Sequence, residues 1–88
     1  MTRPRRHTGQ MIVRELDDGI LVLDMARGRI HQLNATAGHI WAKCDGVAVA
    51  ADIAASLAGE YDVEEGIVAK DVATTLSKLE ALHLVTEA

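Results

Sequence analysis

Four histidines, one cysteine and two acidic doublets are the residues of this 88-residue chain best equipped for chemistry. A metal centre needs several of them at short, recognisable spacings. His7, His31, His39 and His83 stand at no such spacing with Cys44 or with an acid cluster, so no metal site is expected. Cys44 is the only cysteine, which rules out an internal disulfide and a thiolate cage. As a nucleophile it would need a base held beside it. His39 lies five residues earlier, which is not a same-face helical spacing, and Cys44 reads as a small buried hydrophobe. Asp17-Asp18 falls in a turn and Glu64-Glu65 at a helix start, so neither pair requires a catalytic explanation. Gly19 and Gly28 belong to hairpin turns, and no Gly-rich phosphate loop is present. The residues point to a chain with no catalytic site and no cofactor.

The remaining functions are those of a binding surface, and the composition limits what it binds. Hydrophobic residues make up 49% and charged residues 25% of the chain, as in a single folded domain. Trp41 and Tyr61 are the only aromatics, so the core must come from Leu, Ile, Val and Ala with Trp41 as a large anchor. The net charge is −4, yet the first ten residues hold Arg3, Arg5 and Arg6 and no acid. Residues 1–10 read as a flexible basic tail on an acidic body spanning 11–88. An acidic body suits a polyanion poorly, which argues against nucleic acid. No run approaches the roughly 20 apolar residues of a membrane span, so no membrane partner is expected. The tail lacks the apolar stretch of a secretory signal, and a reducing cytoplasm is the expected location.

Two periodicities divide the body. Met11 to Leu16, Ile20 to Leu23 and Arg29 to Leu33 read as three strands. Asp17-Asp18-Gly19 joins the first two, with Gly19 expected to supply positive φ. Asp24 to Gly28 joins the second and third, and two short connections in series dictate an antiparallel meander. The pattern changes at Asn34, a favoured N-cap, and a first helix is expected from Ala35 to Cys44, closed by Asp45-Gly46. A second helix lies within Val49 to Tyr61, with Ile53 and Leu57 on one face. Asp62 is expected to cap a third, in which Val68, Val72, Leu76, Leu79 and Leu82 form an amphipathic stripe. The fold class is α+β: a three-stranded antiparallel meander followed by three helices.

This order and its junction residues resemble the PqqD family, or RiPP recognition elements. The resemblance runs from about Val13 to Val85. It is carried by Arg14-Glu15-Leu16-Asp17-Asp18-Gly19, by Gly28-Arg29-Ile30-His31-Gln32-Leu33-Asn34-Ala35-Thr36-Ala37, and by Ile40-Trp41 before Asp45-Gly46. Asp52-Ile53-Ala54, Glu60-Tyr61-Asp62-Val63 and Asp71-Val72 follow, and the junction from Gly28 to Ala37 is the most specific piece. The chain departs from the family at Val47-Ala48-Val49, where a Ser or Thr often caps the second helix. It departs again at His83, where Gly often precedes the Leu-Val pair.

The resemblance implies a winged helix-turn-helix-like fold and non-catalytic binding of the leader segment of a ribosomally made precursor peptide. The leader would add to the third strand, an edge by connectivity, and enter a groove against the third helix. Arg29, Ile30, His31, Gln32 and Leu33 would then be peptide-binding, together with Asp71, Thr74, Thr75 and Lys78. The implied second partner is a maturation enzyme, either a radical SAM protein as in pyrroloquinoline quinone biosynthesis or a leader peptidase as in lasso peptide biosynthesis. The open edge would suit a monomer or a strand-exchanged dimer. A competing reading is a winged helix-turn-helix DNA binder, which needs a basic recognition helix. The second helix has no basic residue, and the third sets Lys70 and Lys78 against Glu64, Glu65, Asp71 and Glu80. A third reading is a structural subunit that only docks on an enzyme.

Overall fold

The computed structural model describes residues 3–7 and 9–87. In chain order the elements are β1 (Pro4–Arg6), β2 (Met11–Leu16), β3 (Gly19–Asp24), β4 (Arg29–Asn34), α1 (Ala35–Ala42), α2 (Ala50–Tyr61), α3 (Glu65–Ala81) and β5 (Val85–Glu87). Strands β2, β3 and β4 form the antiparallel meander, in that order, leaving β2 and β4 as edges. Helices α1 to α3 follow, so the expected α+β architecture is present.

One face of the meander meets the helices. Alternation places Val22 and Leu33 inward, where they join Ile40 and Trp41 of α1, Ile53, Ala54 and Leu57 of α2, and Val72 and Leu79 of α3 in a single core. Val68, Leu76 and Leu82 pack on its rim, so all five positions of the expected stripe face the body. The other face of the sheet looks outward.

The hairpins follow from local chemistry, with one correction. Leu16 pairs with Gly19 across the two-residue turn Asp17-Asp18, but Gly19 has no positive φ. A Cβ there would lie 2.0 Å from the Leu33 carbonyl oxygen and 2.9 Å from Asn34 Cα. The glycine is required by close approach of backbone where β4 turns into α1. In the second turn, Gly28 does adopt φ 65°, and the Arg27 N–H donates to Asp24 Oδ1 at 3.1 Å.

The helix boundaries keep one of the expected caps and depart from the others. Asn34 caps α1 as expected, its Oδ1 accepting from the Ala37 N–H at 2.8 Å. The helix ends at Ala42, two residues early, with Lys43 as its right-handed C-cap. Gly46 is left-handed (φ 80°), but in the loop beyond. That loop is organised by Asp45, whose Oδ1 accepts from the Val47 and Ala48 N–H groups at 2.8 and 2.9 Å. These bonds, Ala48's first, hold its carboxyl below the usual range. The α2 start, which has no capping side chain at Val49, is met instead from inside the helix: Asp52 accepts from the Val49 N–H at 3.2 Å. Asp62 is not the cap of α3. It is the left-handed C-cap of α2 (φ 53°), donating to the Ala58 carbonyl, while Glu64 stands at the α3 N-cap without a side-chain bond.

The expectation of a flexible tail over residues 1–10 fails at Pro4–Arg6; Met1, Thr2 and Thr8 lie outside the described residues. Strand β1 pairs antiparallel with β5, setting Arg6 against Val85. The Arg6 N–H donates to the Cys44 carbonyl and that of His7 to the Leu84 carbonyl, both at 2.9 Å. The Arg6 guanidinium sits 5.8 Å from the Trp41 ring centroid. Trp41 Nε1 donates to the Leu84 carbonyl at 2.9 Å, tying α1 to the residue that leads into β5. Two termini thus close over one tryptophan.

Candidate peptide-binding site

The meander register determines which backbone groups of β4 are available. The Met25 N–H donates to the Gln10 carbonyl at 2.9 Å, so Met25 directs its backbone toward the first strand of the meander. In an antiparallel ladder this direction alternates. Leu23, Leu21 and Gly19 therefore point their polar groups at β2, and Ile20, Val22 and Asp24 point theirs at β4. Their partners are Leu33, His31 and Arg29 respectively, whose backbone groups are thus engaged with β3. Ile30 and Gln32 are left with N–H and C=O directed at the open edge. An extended chain laid there would find two donors and two acceptors at the spacing of a strand.

A groove of 540 Å³ runs beside that edge, between β4 and α3. Gln32, Leu33, Asp71, Thr74, Thr75 and Lys78 line it, six of the nine residues singled out from the sequence. The other three lie apart from it. Arg29 is exposed at the far end of β4, Ile30 is 68% exposed on the outward face, and His31 is half-buried on the inward face of the sheet. The groove also takes in Asn34, Thr36, Ala37, Leu79 and Leu82. Their signals were present in the sequence: the first three belong to the β4–α1 junction motif, and the leucines to the α3 stripe. The lining is apolar at the floor, through Leu33 and Leu79, and mainly uncharged at the rim. Asp71 and Lys78, two helical turns apart, mark α3 with opposite charges about 10 Å apart along the axis.

A second groove of 590 Å³ lies between the β2–β3 hairpin and α1. Val13, Leu16, Ile20 and Trp41 give it an apolar wall, and Arg6, Glu15, Asp17 and His39 give it four ionisable groups. The His39 ring is held there by Tyr61, whose hydroxyl bonds Nδ1. Nearby, Lys43 Nζ bonds Glu60 at 2.7 Å and lowers its carboxyl pKa.

The one cysteine is placed for structure. Cys44 is fully buried, its Sγ donates to the Ile40 carbonyl at 3.2 Å, and burial pushes its thiol up to about 11. A thiol so placed holds almost no thiolate at neutral pH, the opposite of a reactive cysteine. Among the described residues no three His, Cys, Asp or Glu side chains converge as a metal cage would require, and no helix is long and apolar enough to cross a membrane.

Comparison with known families decides the relationship. Coenzyme PQQ synthesis protein D (PqqD) matches residues 19–85, most of the chain. The chain belongs to the PqqD family. A search of curated proteins gave no match. The chain is also similar to a solved lasso peptide synthetase B1 complexed with the leader peptide, at 28% identity and a TM-score of 0.78 over 96% of this chain and 98% of the other. TbiB1 in complex with the TbiA(β) leader peptide shares the fold at 21% identity, with a TM-score of 0.76 over 92% and 93% of the two chains. Within this PqqD-family chain, the most specific words of the sequence, Gly28 to Ala37, build the open edge and the near wall of the β4–α3 groove.

Proposed function

We propose that this chain binds the leader segment of a ribosomally made precursor peptide and presents it, without chemistry of its own, to a maturation enzyme. One observation carries the reading: an unpaired edge strand with outward backbone groups at Ile30 and Gln32, bordered by a groove against α3, in a fold that a leader-bound relative shares end to end. Backbone pairing along β4 supplies affinity that depends little on sequence. The groove selects alternate side chains of the added strand, and each apolar one buried there contributes about 1.5–3 kcal/mol before ordering costs. Ile30 and Gln32 pair with the leader through their backbone and Arg29 and His31 flank them on β4, while Leu33, Thr74, Thr75, Asp71 and Lys78 meet the side chains that enter.

The likeness to a lasso peptide synthetase B1 favours a leader peptidase over a radical SAM enzyme as the partner. The test is a reconstitution with the precursor and the processing enzyme of the chain's own gene cluster. The purified chain alone leaves the precursor intact, and adding it accelerates processing by the enzyme. Processing by the chain alone, or an enzyme indifferent to its presence, refutes the reading.

A further inference from the structure

We propose that the outward face of the meander is the docking surface for the processing enzyme, which meets it with an apolar patch carrying a carboxylate opposite Arg14. This rests on the leader-binding reading and adds the partner's side of it. The register aligns Ile12, Leu23 and Ile30 in one cross-strand row, and Arg14, Leu21 and Gln32 in the next. These six side chains point away from the helices, Gln32 bordering the β4–α3 groove from the edge of the strand. Ile12 remains 42% exposed and Ile30 68%, a contiguous apolar strip of the kind that marks an interface.

Charge indicates what covers it. The chain is acidic, yet both acids of the meander strands, Glu15 and Asp24, fall in the inward class, beside Ile20 and Met11. Arg14 is thus the one charge of the two rows. No ion pair engages it among the described residues. A partner that desolvates this face must supply a carboxylate. A second copy of the same face brings another arginine and no acid, which argues against self-association here.

The face is also continuous with the peptide edge. A leader added to β4 turns alternate side chains into the groove and the others outward beside Ile30. The loaded peptide therefore lengthens the Ile12–Leu23–Ile30 row by one strand, and the enzyme binds the loaded chain more tightly than the empty one.

Arg14→Glu and Ile12→Ser test this, because both sites are exposed and two strands away from the leader edge. Leader affinity is measured by calorimetry with the synthetic leader of the cluster's precursor, and enzyme affinity by interferometry on the loaded full chain. The expected result is leader affinity within twofold of wild type, enzyme affinity reduced at least tenfold in both variants, and a wild-type enzyme affinity that weakens with salt. Unchanged enzyme binding in both variants overturns the proposal while leaving leader binding intact. Loaded wild type that sediments as a dimer, and that Arg14→Glu returns to monomer, overturns it in favour of a second copy. A wild-type chain that ignores the leader overturns both this and the reading beneath it.

Discussion

Two grooves of nearly equal size flank the meander, and they differ in what lines them rather than in how large they are. The one between β4 and α3 has an apolar floor, a rim of Thr36, Thr74, Thr75, Gln32 and Asn34, and only Asp71 and Lys78 as charges. The one between the β2–β3 hairpin and α1 is as apolar in its walls, but Arg6, Glu15, Asp17 and His39 crowd it. Each lies beside an edge strand, so volume and an open edge do not by themselves select a peptide site. A neutral polar rim can follow a peptide backbone of any sequence, whereas four ionisable groups demand matching charges and must be desolvated. The Arg6 guanidinium over Trp41 also belongs to the clasp formed by β1 and β5, which makes that side structural.

Filling each groove separates them most strongly. Thr75→Trp places an indole in the β4–α3 groove and excludes at least one apolar anchor of the leader, which lowers affinity roughly ten- to hundredfold. Ala42→Trp does the same to the other groove and leaves calorimetric leader affinity within twofold. Equal losses would erase the distinction between the two.

Proline tests the edges in the same way with a smaller effect. Gln32→Pro removes a donor aimed at the open side of β4 and weakens leader binding by about tenfold, with the fold retained because no ladder bond to β3 is lost. Val13, opposite Val22, directs its N–H to the outer side of β2 by the same alternation. Val13→Pro leaves leader affinity unchanged. A loss confined to Val13→Pro would move the peptide to the other edge.

The smallest effect concerns neither groove. His83 is left-handed (φ 60°) at the α3 C-terminus, where the Leu84 N–H donates to the Leu79 carbonyl at 2.9 Å. The family's frequent glycine fits that conformation without strain. His83→Gly raises stability by about 0.5–1 kcal/mol in denaturant unfolding and leaves leader affinity as it was. A destabilised variant would show that the His83 side chain makes a compensating contact.

The sequence disclosed the groove better than it disclosed the frame around it. The β-period of 11–33 and the α3 stripe place Leu33 and Leu79 on facing walls, and connectivity alone makes β4 an edge. Gly19 is legible as a hairpin residue, but the reason a glycine is required is not, because the backbone it must clear lies 14 residues away. The role of Asp62 is ambiguous in the sequence, since a left-handed C-cap and an N-cap accept the same residue type in a three-residue link. The β1–β5 pair is not legible in the sequence: strands of three residues give no period, and they meet only in the assembled fold, beside the Trp41–Leu84 bond.

The most direct test is an amide NMR titration of the chain with its leader peptide. The account predicts the largest shifts at Ile30 and Gln32, whose amides face the added strand, and along Asp71 to Lys78, with β2 and α1 little changed. Shifts concentrated in Val13 to Leu16 and Gly38 to Ala42, with β4 silent, would contradict it.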